Sequence, residues 1–225
     1  MKIETAGQDA FIVYFADQAS ASVSAQIQRA VNNIQTQMSD IIVDLIPSYA
    51  SLLVIYNLDS CDSFTTRSRL RVALANLDAE ESQGGKLITL PAYYSLESGP
   101  DLDIIAERGK ISADEVIDIH QQQEYRVYAI GFAPGFAYLG EVDERIAAPR
   151  LATPRQKVPL GAVAIADRQT AVYPAPSPGG WNLIGLCPTR MFDPLQEPSM
   201  PVQVGDRIQF KAIGREEYLS LGGEL

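Results

Sequence analysis

The chain has 225 residues, 46% hydrophobic and 20% charged, which allows one large domain or two small ones with a real core. Its net charge of −10 argues against non-specific binding to nucleic acids or anionic membranes. The two cysteines, Cys61 and Cys187, have no CxxC spacing and favour a reducing compartment. Without a signal-peptide pattern or an apolar run of about 20 residues, the sequence predicts a cytoplasmic protein.

The first part of the chain is predicted to form a β-α-β-β-α-β unit. Four runs of strand-forming residues are predicted as strands: residues 10–15, 41–46, 51–57 and 86–90. Ser20 is a predicted N-cap of a helix whose apolar residues recur at helical spacing as far as Met38. A second helix is predicted to begin near Asp62 or Ser63. This order indicates a small ferredoxin-like domain over residues 1–85, with a hinge at residues 83–85.

The remainder, residues 86–225, is predicted to be a separate domain. A short helix is expected at residues 101–108, and a second opens with a capping box from Ser112 to Glu115. The second helix carries His120, the only histidine of the chain, near its C-terminal end. Short apolar runs separated by Pro and Gly follow, which is typical of a closed β-barrel or a β-sandwich.

A glycine- and aromatic-rich loop is the sharpest sequence feature. The run GFAPGFAYLG from Gly131 to Gly140 combines backbone freedom with aromatic side chains that line pockets or interfaces. Its candidate ligand-binding residues are Phe132, Pro134, Gly135, Phe136 and Tyr138. A structural loop that closes the barrel with its own aromatic residues explains the composition equally well.

A basic stretch follows the aromatic loop in an otherwise acidic protein. Residues 145–168 contain five Arg or Lys and one acid, Asp167. Arg150 and Arg155 each follow a proline, which restrains the backbone, and guanidinium groups suit carboxylate and phosphate oxygens. A solvated rim or salt bridges to the acidic helices is the alternative interpretation.

The next stretch, residues 169–189, contains no charged residue and no histidine, and it includes the only tryptophan. Its candidate ligand-binding residues are Gln169, Thr170, Tyr173, Pro178, Gly179, Gly180 and Trp181. Side-chain and backbone groups here offer uncharged hydrogen bonds to a polar ligand. Buried strands and turns are the alternative, and the interpretation favoured for the aliphatic members.

Several kinds of chemistry are disfavoured by what the sequence lacks. It has neither a GxxxxGK[ST] phosphate loop nor a GxSxG elbow. One histidine excludes a His-rich metal site and makes a Ser–His–Asp triad a poor hypothesis. His120 itself has a simple structural explanation, because a histidine at a helix C-terminus interacts favourably with the helix dipole.

The order of motifs resembles the family of 5-oxoprolinase B subunits, once labelled allophanate hydrolase subunit 1. The matching runs are GFAPGFAYL, two Pro-Arg pairs, VPLGAVAI, QTAVYP, SPGGWNLIG, MFDP and VGD, and His120 also sits where the family has a histidine. They span roughly residues 86–210 and imply a cyclophilin-like β-barrel. Ala171 and Leu160 depart from the family pattern, which commonly has Gly and Ala there.

The resemblance implies one component of an enzyme that cleaves 5-oxo-L-proline to L-glutamate with ATP, together with the A and C subunits. His120, Arg150 and Arg155 are the candidate catalytic residues, ATP is expected to be shared with the partners, and no metal is expected. The isolated chain is expected to be inactive. The alternatives are a non-catalytic inhibitor of a sensor histidine kinase and a urea carboxylase or allophanate-type amidohydrolase module.

Overall fold

The protein is described by a computed structural model that covers residues 1–75, 77 and 85–225. The chain divides into two compact units, Met1–Gly84 and Gly85–Leu225. Two of the three residues predicted as a hinge, Gln83 and Gly84, lie outside the described residues.

The N-terminal unit is a four-stranded antiparallel sheet with two helices. Its elements are β1 (Lys2–Thr5), β2 (Ala10–Tyr14), α1 (Ala21–Met38), β3 (Ile42–Ser48), β4 (Ser51–Tyr56) and α2 (Ser63–Ala73). The sheet order is β1-β2-β4-β3. Alternate residues of β2 and β4, such as Phe11 and Leu52, pack with Ile34 of α1 and Leu70 of α2 in one core. The Ser20 hydroxyl accepts the Val23 N–H at 3.2 Å, which confirms the predicted cap.

One strand of the predicted β-α-β-β-α-β order was assigned to the wrong sheet. The edge strand beside β2 is β1, with Lys2 opposite Tyr14 and Thr5 opposite Phe11. The strand predicted at residues 86–90 belongs to the second unit instead. A strand pattern shows that a segment is extended but does not name its partner, and KIET is too short and polar to signal a strand.

The second unit is a closed barrel flanked by helices. Its elements are β5 (Leu87–Tyr93), α3 (Leu102–Gly109), α4 (Ala113–Gln122), β6 (Glu124–Ile130), β7 (Ala137–Gly140), β8 (Arg155–Val158), β9 (Ala162–Ala166), β10 (Gln169–Val172), β11 (Ser177–Gly179), β12 (Asn182–Leu186), β13 (Arg207–Ile213) and α5 (Arg215–Ser220). Seven strands close in the order β10-β7-β6-β13-β5-β12-β9, and β8 pairs with β11 separately. The α+β fold class and the barrel are thereby confirmed.

The barrel core combines aliphatic and aromatic side chains, and two of its strands are buried on both sides. All five residues of β9 and all five of β12 are buried. The predicted capping box is present at the start of α4, where Ser112 and Glu115 bond reciprocally. Loops and short strands that leave this rigid barrel carry the residues of the candidate site.

Candidate ligand pocket

The aromatic pocket is a cavity of about 260 Å³ in the barrel unit. It is lined by Phe132, Phe136, Tyr138, Arg150, Pro154, Tyr173, Pro178, Gly179, Gly180 and Trp181. The cavity therefore brings together side chains from the aromatic loop, the basic stretch and the uncharged stretch, which are far apart in sequence. Pro154 is the one lining residue that sequence reasoning did not select, although it directly precedes Arg155.

Phe136 is the centre of the aromatic cluster that forms one wall. Its ring centroid lies 4.9 Å from that of Tyr138, 5.2 Å from that of Tyr173 and 5.6 Å from that of Trp181. The interplanar angles of 62°, 87° and 89° are the edge-to-face arrangement that aromatic quadrupoles favour. Because Phe136 is only 2% exposed, it stiffens the wall and presents its neighbours to the cavity.

The aromatic loop needs unusual backbone conformations to present these rings. Gly135 has φ of +82°, and a Cβ there would lie 2.5 Å from the Met191 carbonyl oxygen, so only glycine fits. Phe132 has φ of 70° without being glycine, a conformation that L residues rarely adopt. The residue is 67% exposed, and its ring lies edge-on to that of Phe136 at 5.3 Å. Phe132 therefore projects an apolar ring from the pocket into solvent.

Arg150 supplies the positive charge of the pocket. Its guanidinium carbon lies 5.9 Å from the centroid of the Trp181 ring, within the range of a cation–π contact. Within the described part of the chain, no carboxylate forms an ion pair with Arg150. A guanidinium with this freedom can bind an anionic group of a ligand through charge-assisted hydrogen bonds.

Arg155 is engaged differently, in a partly buried ion pair. Its Nη2 lies 2.7 Å from Oδ1 of Asp101, whose side chain is only 3% exposed. The other Asp101 oxygen accepts the Leu183 N–H at 2.7 Å. Arg155 does not line the aromatic pocket, and its charge is already neutralised by a partner that sequence reasoning did not select.

His120 lies in the barrel interior and away from the aromatic pocket. It is 0% exposed, with Nδ1 2.8 Å from the Tyr94 hydroxyl and Nε2 2.9 Å from the Thr170 hydroxyl. Burial lowers the pKa of His120 from its ordinary 6.5 to about 3, so it is neutral at physiological pH. Both ring nitrogens are hydrogen-bonded, so the geometry is that of a satisfied core histidine.

The other predicted binding residues outside the cavity take structural positions. Thr170 is buried against His120, and Gln169 pairs with Gly140 and Ala166 in the barrel wall. Pro134 and Gly135 form the turn of the aromatic loop, and their backbone shapes that loop.

Tyr173 and the two glycines complete the polar part of the wall. Burial raises the pKa of Tyr173, while Arg150 and Arg155 act in the opposite direction, so its hydroxyl is protonated at neutral pH. A Cβ on Gly179 would lie 2.4 Å from that hydroxyl. A Cβ on Gly180 would meet nothing closer than 3.6 Å. A side chain at Gly179 would therefore displace the Tyr173 hydroxyl, whereas one at Gly180 would not.

The described residues contain neither a cluster of metal ligands nor a membrane-spanning helix. Across residues 1–75, 77 and 85–225, no group of three or more His, Cys, Asp and Glu side chains is arranged to hold a metal ion. None of the helices in these ranges combines the length and apolarity required to cross a bilayer.

The fold corresponds to a known class of domain. Residues 1–202 match the family described as "Carboxyltransferase domain, subdomain C and D". The Kluyveromyces lactis urea carboxylase has the same fold over 97% of this chain and 22% of its own, with a TM-score of 0.76 at 16% identity.

Relatives with higher sequence identity show which family within this class the chain belongs to. The 5-oxoprolinase B subunit of Bacillus subtilis (strain 168) is 35% identical over 96% of this chain and 95% of its own. The crystal structure of TTHA0988 is 33% identical, with a TM-score of 0.80 over 91% of this chain; the chain spans only 40% of that protein. The chain belongs to the family of 5-oxoprolinase B subunits.

Proposed function

We propose that this chain is the B subunit of an ATP-dependent 5-oxoprolinase and that the aromatic pocket binds 5-oxo-L-proline. The observation that carries the proposal is the combination of an aromatic wall with the one pocket cation, Arg150, that has no ion-pair partner in the described residues. A small lactam ring packs on Trp181 while its carboxylate binds Arg150. The homologues named as 5-oxoprolinase B subunits support this role.

The pocket size supports separate binding sites for 5-oxoproline and ATP. At about 260 Å³ the cavity lies just below the ~300–1,000 Å³ typical of sites for drug-sized ligands. It suits a small ring acid better than a nucleoside triphosphate with its several phosphate charges. We assign ATP to a site completed by the A and C subunits, so the isolated chain is inactive.

The reaction that follows is acyl transfer on a stable amide. ATP transfers its γ-phosphoryl group to the lactam oxygen, which leaves the ring carbon open to attack by water. The resulting tetrahedral intermediate breaks the ring C–N bond, and the amine leaves with a proton, which gives γ-glutamyl phosphate. A second water then hydrolyses this acyl phosphate to L-glutamate and phosphate. In this chain, Trp181 and Phe136 exclude water from one face of the ring, Arg150 orients the carboxylate, and the Tyr173 hydroxyl is available as a neutral donor. His120 is fully buried and hydrogen-bonded, so we assign it no step.

The test compares two arginines in the complex assembled with the A and C subunits. Arg150→Ala is expected to raise KM for 5-oxoproline roughly ten- to a hundredfold while KM for ATP stays unchanged, because a charge-assisted contact is lost. Arg145→Ala is the matched control, since Arg145 is exposed and paired with Asp143. Equal KM values for both variants would refute a substrate contact by Arg150.

A second candidate function is docking to a sensor histidine kinase without turnover. The observation in its favour is the exposed Phe132 ring, which is an apolar anchor of the kind found at protein interfaces. The same ring would also serve as a contact to the C subunit. Phe132→Ala should weaken whichever partner binds there, and a pull-down with each purified partner distinguishes them.

A further inference from the structure

Arg150 lies on a segment that is tied on both sides to the turn carrying Trp181. The Leu151 N–H donates to the Gly180 carbonyl at 2.7 Å. The Asn182 side-chain amide donates from Nδ2 to the Pro149 carbonyl at 2.9 Å. These two hydrogen bonds flank Arg150, so they set its backbone relative to the Trp181 ring.

Asn182 is itself held in one orientation. It is 2% exposed, and its Nδ2 makes a second hydrogen bond to the Ile165 carbonyl at 3.1 Å. An amide nitrogen has two donor hydrogens, and here both are used. Because Asn182 lies opposite Ile165 in the ladder between β12 and β9, this side chain joins the barrel wall to the Pro149 carbonyl.

Leu183, the residue after Asn182 in β12, is held by hydrogen bonds to Asp101. Leu183 donates its N–H to an Asp101 carboxylate oxygen at 2.7 Å and accepts the Asp101 N–H at 3.0 Å. Asp101 occupies the N-cap position of α3 but makes no side-chain bond to that helix. Its carboxylate is instead committed to Leu183 and Arg155, which immobilises the strand from which Asn182 projects.

We propose that Asn182 is a positioning residue of the aromatic pocket, whose buried amide holds Arg150 beside the Trp181 ring. An arginine has many rotamers, and ordering it on binding costs conformational entropy. Fixing its backbone before the ligand arrives reduces what must be ordered on binding. This inference rests on the proposed function in one respect, which is the contact between Arg150 and the substrate.

The chain offers a direct reporter of this arrangement. Trp181 is its only tryptophan, so emission excited selectively from tryptophan, and not from the ten tyrosines, reports on the pocket alone. A cation near an indole ring shifts its emission, so Arg150→Ala should move the emission maximum. Asn182→Ala should move it in the same direction, and the double variant should show no additional shift, because Asn182 acts through Arg150.

The same variants are then measured in the assembled complex. Asn182→Ala is expected to raise KM for 5-oxoproline roughly three- to tenfold, since one buried hydrogen bond to the segment is lost. The double variant should be no worse than Arg150→Ala. Asp206→Ala is the control, because this buried carboxylate binds the N–H groups of Lys86 and Gln203 and does not line the pocket. Circular dichroism checks the fold of each variant. If Asn182→Ala does not fold, it is replaced by Asn182→Leu, which has a similar size but cannot donate a hydrogen bond.

The outcomes separate the two proposals. Additive emission shifts, or an Asn182→Ala emission like that of Asp206→Ala, would overturn the positioning role. Non-additive emission together with an unchanged KM in Arg150→Ala would keep the positioning role and remove the substrate contact from the proposed function.

Discussion

Acidification is expected to destabilise the barrel through its single histidine. Burial holds the pKa of His120 at about 3, against an ordinary value of 6.5. Unfolding restores the ordinary value, so between about pH 6.5 and pH 3 the unfolded chain binds one more proton than the folded chain. The stability linked to His120 is therefore fully present above pH 6.5 and is lost as the pH falls.

The size of the effect follows from this proton. Each pH unit within the window lowers the free energy of unfolding by about 1.4 kcal/mol. From pH 7 to pH 5 the loss attributable to His120 is about 2 kcal/mol, a substantial share of the ~5–15 kcal/mol that stabilises a typical domain. With ordinary pKa values near 4, carboxylates titrate mostly below this interval, so the histidine dominates it.

Urea unfolding followed by Trp181 emission measures the barrel unit selectively, because Trp181 and His120 both lie within it. His120→Gln is the comparison, since glutamine does not titrate. The variant is expected to be less stable than the wild type at pH 7, but its free energy of unfolding should change little between pH 7 and pH 5. If the wild type and His120→Gln lose the same free energy over this interval, the buried-histidine reasoning is refuted.

Three other predictions concern the pocket and its support. Gly179→Ala is expected to displace the Tyr173 hydroxyl and reduce substrate affinity, whereas Gly180→Ala leaves it unchanged; binding titrations that find the two variants alike would contradict this. Arg155→Ala should lower the free energy of unfolding, measured with denaturant, by about 3 kcal/mol or more, because it leaves the buried Asp101 carboxylate without its partner. Arg155→Lys should recover part of this free energy. A loss below about 1 kcal/mol would show that the pair behaves as a surface ion pair. The purified chain alone should hydrolyse no ATP with 5-oxoproline, and turnover without partners would refute the assignment of ATP to the other subunits.

Local sequence patterns were sufficient for much of the secondary structure. The helical spacing after Ser20 predicted α1, and the capping box at Ser112 predicted the start of α4, because both signals depend on neighbouring residues. Local patterns could not predict which strand pairs with residues 86–90. Their strand joins β13, more than a hundred residues away, in a parallel pairing that no local pattern encodes.

For the site, the sequence by itself determined which residue types were available: a glycine-aromatic loop, two proline-restrained arginines, and an uncharged turn with the only tryptophan. Only the tertiary structure decided how they differ. Arg150 and Arg155 look alike in sequence, yet one lies beside the Trp181 ring and the other is paired with buried Asp101. Whether an arginine is free to bind a ligand depends on which carboxylates the fold brings within reach, and that is set by long-range packing.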